Sequence, residues 1–275
     1  MTLILILAAF GGGVFGSLIG GTIAFIFTGI LALLGFAILL TTGDSMILDK
    51  IAFGPFFGPQ VAFVGAVAAA AYAGRKNKMA GSDVMSPLFV TKDAGSLVVG
   101  GIFGVVGYVM NYFLSTKGFG IDTIALTVVI LGIVTRLLIG GSSLISQYEG
   151  NEKWTNGLKT ELPFNVIWAL GLSLIVGFAV IETGLANIGW AISAVSLIFL
   201  FTTVKSFPVS HHVTMVAGYA AIAFNSIYMA ALFGVIAVLL GEFFQRTTNT
   251  KVKSHLDMPA VVIASCSLVI LTFFQ

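Results

Sequence analysis

Residues 58–72, GPQVAFVGAVAAAAY, align without a gap on residues 210–224, SHHVTMVAGYAAIAF, so that Val61 pairs with Val213, Val64 with Val216, and Ala68 and Ala69 with Ala220 and Ala221. The apolar parts of the two stretches, 61–72 and 213–224, are short: at 1.5 Å per residue each makes about 18 Å of helix, against a hydrocarbon core of about 30 Å. Each follows a proline-bearing stretch, GPFFGPQ (54–60) in one case and SFPVSHH (206–212) in the other. Proline removes a donor and blocks helix continuation, so both stretches are expected to descend as extended chain and start a broken helix near the bilayer midplane. Two more matches follow in the same order. GGIFGVVGYVMNYF (100–113) and AALFGVIAVLLGEFF (230–244) share Phe-Gly-Val, and IDTIA (121–125) and LDMPA (256–260) share an Asp with an Ala three residues on. Ordered matches at three places mark an internal repeat.

Working outward, apolar segments of spanning or near-spanning length fall at about 3–20, 22–42, 61–72, 95–114 and 122–140, and again at 163–182, 186–203, 213–224, 227–244 and 258–274. The run 3–42 is too long for one span and is divided at Gly20 and Gly21, where adjacent glycines suit a tight reversal. The expected fold is all-α and integral to the membrane, with about ten transmembrane segments as two repeats: 1–141, a connecting loop 142–162, and 163–275. Five segments per repeat is an odd number, so the second repeat must be inverted relative to the first. Charge placement requires the same inversion. With GRKNK (74–78) inside, alternation puts Arg75, Lys76, Lys78, Lys92, Arg136, Lys153, Lys159, Lys205, Arg246, Lys251 and Lys253 on the cytoplasmic side and leaves Lys50 and Lys117 outside. That satisfies the positive-inside rule and puts both termini outside the cell membrane. The start, MTLILILAAF, has no basic n-region and no clear cleavage site, and reads as a first membrane helix instead of a signal peptide.

Composition agrees: 58% of the 275 residues are hydrophobic and 9% charged, with a mean hydropathy of +1.07, far from a soluble domain. A net charge of +2 leaves no basic surface for nucleic acid. The single cysteine, Cys266, excludes a disulfide within the chain. No GxxxxGK[ST] is present, so no direct use of ATP is expected, and no cofactor is implied.

The concentrated polar chemistry lies where the short segments start. Pro59 and Gln60 in the first repeat, and Pro208, Ser210, His211 and His212 in the second, are the candidate substrate-binding residues, with Gln60 aligned on His212. Free N–H groups there would favour an anion or a carbonyl oxygen. An imidazole titrates near neutral pH, which makes His211 and His212 candidates for proton coupling; the competing reading has one of them capping the helix and the other at the surface near Lys205. Two adjacent His without a carboxylate or Cys make a poor ligand set, so no metal site is expected. Asp122 and Asp257 each open a helix and are read first as N-caps and second as ion ligands. Asp44, Asp49 and Lys50 lie in a solvated outer loop, Glu182 and Glu242 at helix ends, and Arg136 is expected to snorkel to the inner face. Glycines at 100, 101, 104 and 107, and at 11, 12, 13 and 16, suit close helix packing and contacts between copies of the chain.

The expected function is a multi-pass transporter or channel for a small solute or ion, secondary or passive, and not an enzyme, with its pathway between Gln60 and His212. The layout is similar in outline to two-repeat urea and ammonium channels, without the signature motifs of either. The alternatives are an intramembrane enzyme acting on lipid or peptide, and an accessory membrane subunit. No Arg stands near Gln60 or His212 to hold a phosphate, and no GxSxG turn surrounds Ser210.

Overall fold

The computed structural model describes residues 1–202 and 206–274. Lys205, counted above among the basic residues, and Thr203, the expected end of a segment, lie outside the described residues. Within them the chain forms helices α1 (Leu3–Ile19), α2 (Gly21–Thr42), α3 (Val64–Arg75), α4 (Ala94–Ser115) and α5 (Thr123–Val134). These are followed by α6 (Leu158–Thr183), α7 (Ile188–Ser196), α8 (His211–Phe224), α9 (Ile227–Thr248) and α10 (Met258–Phe273), and no strand occurs among the described residues. Two π-helical segments extend this set: Pro59–Phe63 runs directly into α3, and Thr135–Gly140 continues α5. Among the described residues, five helices are long and apolar enough to cross a membrane: α2, α4, α5 with its extension, α6 and α9. Their outward faces carry large apolar side chains, such as Phe164, Ile167, Ile175 and Phe178 on α6, as a bilayer requires.

The α1–α2 corner falls at Gly20, whose φ of +96° is open only to glycine at low cost. A Cβ there would also meet Met85 O at 2.9 Å, and Thr22 N donates to Val84 O at 2.9 Å, so the loop after α3 clamps the corner.

The stretch before α3 differs from the expected extended chain. Residues 53–58 fold into turns, with Phe57 N donating to Ile51 O and Gly58 N to Gly54 O, each at 3.1 Å. Thr28 Oγ1 holds the Phe57 carbonyl at 2.7 Å, and the Phe57 ring packs on Phe15, Phe27 and Phe56. The helix then starts at Pro59 and not at Val61, because proline fits the first turn, where its missing N–H has no helical partner to lose. From Pro59 to Arg75 the helix is therefore longer than half a membrane, about 25 Å at 1.5 Å per residue.

Small residues set the closest packing. On α1 and α4, a Cβ at Gly104 would strike Ala9 O at 2.6 Å and Gly13 Cα at 2.8 Å, and Gly100 lies against Ser17. On α6 and α9, Gly234 lies against Ser173 and Gly177 against Ala230. The buried α3 and α8 fill the middle, α3 against α4 and α8 against α9. Two further pairs cross the centre. In one, Gly29 of α2 meets Ala191 and Ala194 of α7. In the other, Asp122 N at the head of α5 donates to Ser267 Oγ of α10 at 2.9 Å. The largest core cluster joins Phe25, Phe63, Trp190, Met215 and Ile263 from both halves of the sequence.

One end of the bundle gathers the loops that carry basic residues. Arg136 does not snorkel: it is fully buried. Its Nη2 donates to Asn249 Oδ1 at 2.8 Å and to Ser254 O at 2.7 Å, and its Nη1 donates to Thr248 O. A guanidinium has enough donors to satisfy several carbonyls at once, so the charge stays inside and ties α5 to the α9–α10 loop. Arg246 pairs with Glu161 and Glu242, and Lys251 with Glu152 at 2.7 Å. Lys76 pairs with Asp93 at 3.1 Å. The Ser96 hydroxyl, then the Lys76 ammonium, hold the Asp93 carboxyl below its ordinary range, and Asp93 raises Lys76 in turn.

Candidate functional site

The site is assembled from four helix starts. Asp122 caps α5, its Oδ1 accepting from Ala125 N at 2.8 Å, and Asp257 caps α10, its Oδ2 accepting from Ala260 N at 3.1 Å. Each carboxylate has a second oxygen in use. Asp122 Oδ2 accepts from the Tyr219 hydroxyl at 2.8 Å, and Asp257 Oδ1 faces His255 Nε2 at 3.5 Å. Pro59 starts the helix that becomes α3, and His211 is the first residue of α8, at whose head the Ser210 side chain makes no capping bond.

These four starts meet at a small cavity of about 50 Å³ whose lining includes Pro59, His211, Asp122 and Asp257 together with Phe25 and Trp190. No Lys or Arg lines it. Phe25 is central to its aromatic wall, with its ring 4.7 Å from His211 and 5.1 Å from Trp190 between centroids. Beside it lies an open groove of about 1100 Å³ between α6, α7, α9 and the stretch before α8, reached by Pro208, Ser210, His212, Glu242 and Asp257. Asp257 is the residue common to cavity and groove.

Both imidazoles are buried, His211 at 5% and His212 at 3% exposure, and among the described residues neither makes a hydrogen bond; the Nδ1 atoms of both are without a partner there. This corrects the competing reading of a capping His and a surface His. His211 turns to the cavity and His212 to the groove, where its Nε2 lies close over Gly241. Gln60 joins neither space. Its Nε2 donates to Phe53 O at 2.7 Å and its Oε1 has no partner, so it props the turn before α3. The expectation that free N–H groups at the first-repeat start face a ligand is reduced as well, since Val61 N and Ala62 N both donate to Gly58 O. Asp44 accepts from Met46 N in an exposed turn, whereas Asp49 and Lys50, expected in the same loop, lie in a short π-helical segment, Ile47–Ala52, where Asp49 accepts from Ser45 Oγ.

Sequence reasoning missed Phe25, Trp190, Asn187 and Tyr219. Tyr219 stands opposite Val67 in the aligned stretches, but Thr214 likewise stands opposite Ala62, so a hydroxyl against an aliphatic side chain did not set it apart.

The fold and the site define an all-helical chain with helices fit for a bilayer and a small, mainly apolar cavity at its centre into which Asp122, Asp257 and His211 also reach. The chain belongs to a family of unknown function (DUF7973), whose model matches residues 1–156 and 152–274. No curated protein and no solved structure matches it.

Proposed function

We propose that the chain is a multi-pass transporter or channel for a small solute, secondary or passive, in the cell membrane. In this reading its ten helices are two inverted repeats of five, and the path runs from the groove past His212 and Asp257 into the cavity at His211 and Asp122. The observation that carries it is the make-up of the cavity wall, to which matching elements of the two halves contribute in pairs: Phe25 with Trp190, Pro59 with His211, and Asp122 with Asp257. A cavity on the seam of two repeats is where such proteins hold their substrate.

Support for the repeat comes from packing. The α1–α4 pair has Gly13 against Gly104 and Ser17 against Gly100, while α6–α9 has Ser173 against Gly234 and Gly177 against Ala230. The positions correspond at a constant offset along each helix, with Gly and Ser exchanged between them. The family model's matches to 1–156 and 152–274 divide the chain near the same boundary. Support for the orientation, with the basic end cytoplasmic and both termini outside, comes from the positive-inside rule and from the contacts that join the loops bearing Arg75, Arg136, Arg246, Lys251 and Lys253 at one end.

Stopped-flow light scattering on proteoliposomes tests the proposal, with urea, glycerol, ammonium acetate, potassium acetate and sodium formate as solutes. At least one should cross faster than in protein-free vesicles, and Ala260→Leu, which fills the cavity, should slow it. Folded protein that moves none of them, or a flux that Ala260→Leu leaves unchanged, refutes the reading.

A further inference from the structure

Away from the central cavity, a recess of about 490 Å³ opens at the basic end between the α3–α4 loop and residues 252–253. Arg75 and Lys253 line it together with backbone at Gly74, Gly81 and Gly140, and no carboxylate does. Among the described residues, neither Arg75 nor Lys253 takes part in an ion pair. Gly140, in the floor, lies four residues beyond Arg136 on the same π-helical segment, roughly 6 Å along the axis. Arg136 is wholly buried, and its partners are the carbonyls of Leu144, Thr248 and Ser254 and the amide of Asn249, none of them an anion. Around it, Arg136 Nε, Thr135 Oγ1 and Ser254 Oγ are buried without a partner, and Ser254 Oγ sits 2.9 Å from where a Cβ of Gly140 would be.

A buried charge with no counter-charge is costly, and here its field reaches a recess already walled by two free cations. We propose that this recess binds the phosphate headgroup of an anionic glycerophospholipid, with Arg75 and Lys253 contacting the phosphate and the bound charge offsetting Arg136 from above. A lipid, and not a soluble phosphate, is the occupant because the recess opens at the end of apolar helices, at headgroup depth, where basic pockets between helices meet anionic lipid. A recess of this volume is within the usual range for a small ligand.

The test uses the full-length chain in phosphatidylcholine nanodiscs and in detergent, with native mass spectrometry and thermal unfolding as readouts. Phosphatidylglycerol should be retained in preference to phosphatidylcholine and should raise the melting temperature. In Arg75→Gln/Lys253→Gln the affinity for phosphatidylglycerol should fall about thirtyfold, from the loss of two basic contacts with an anionic headgroup, while melting in phosphatidylcholine alone stays as in the parent. Lys253→Gln alone should lose part of the same preference, which keeps the test open if the double variant fails to fold. Equal retention of the two lipids, or parent-like retention by the variants, overturns the proposal. So does stabilisation by inorganic phosphate that matches that of the lipid, since the site would then serve a soluble anion.

Discussion

The hydrogen bond from Tyr219 of α8 to Asp122 of α5 joins the two halves of the sequence at 2.8 Å, and a double-mutant cycle on it gives a sharply defined result. Asp122→Ala removes the cap on Ala125 N and strands the Tyr219 hydroxyl. A lost N-cap costs about 1 kcal/mol, and an unpaired buried hydroxyl about 1–3 kcal/mol. Asp122 borders the cavity and both residues are half-buried, so the lower end applies and the single variant should lose about 2 kcal/mol. Tyr219→Phe leaves the cap in place and should lose about 1 kcal/mol. The double variant has no stranded hydroxyl: only the cap is missing, and it should lose about 1 kcal/mol, making it more stable than Asp122→Ala alone. Followed by tryptophan fluorescence in detergent, these losses correspond to melting-temperature drops of roughly 4–8 °C, 2–4 °C and 2–4 °C, at about 2–4 °C per kcal/mol for a chain of this size. A double-variant drop equal to the sum of the two singles would show that the residues act independently and that the bond contributes nothing.

Two other outcomes are expected. Gly104→Ala places a methyl against Ala9 O and Gly13 Cα, backbone atoms that cannot give way, and should destabilise by about 1–3 kcal/mol; Gly11→Ala, with nothing within 4 Å of its new methyl, should be neutral or gain up to about 1 kcal/mol, and the reverse ranking in thermal melts would refute the packing argument. Asp93, held below its ordinary range by Ser96 and Lys76, supports the fold above the unfolded Asp value of about 3.9 and loses that contribution as pH falls through its lower folded value. Asp93→Asn should therefore melt earlier than the parent at pH 7, with the gap narrowing progressively as pH falls below about 4, and a gap that does not narrow on acidification would assign the loss to something other than charge.

What could be read in advance depended on backbone rules. The reversal at Gly20 follows from glycine's access to positive φ, and the caps at Asp122 and Asp257 from the N–H groups that any helix start leaves free, so both were legible one residue at a time. Which side of a helix faces the cavity was not. A helix in lipid is apolar on its outer face as well as its inner one, so Phe25 and Trp190 carry no periodic signal that sets them apart from outward-facing Phe27 or Ile192. Arg136 deceived for a related reason: its length permits snorkelling, and only the carbonyls of a loop more than a hundred residues away decide that it stays inside. The bond from Gln60 to the Phe53 carbonyl was not legible either, because that partner is in place only once 53–58 has folded into turns.

The π-helical start at Pro59–Phe63 has a mechanical consequence. A π turn holds about one residue more than an α turn of similar height, so the helix from Pro59 to Arg75 contains a length of slack that α8, α-helical from its first residue, does not. Tightening that turn into α form would twist everything between Val64 and Arg75 by about 100° relative to Pro59, the rotation of one residue in a 3.6-residue turn. Ala66, now packed beside Gly21, would swing round to another neighbour while the head of the helix stayed at the cavity. The two central helices are thus a wound and an unwound version of one spring.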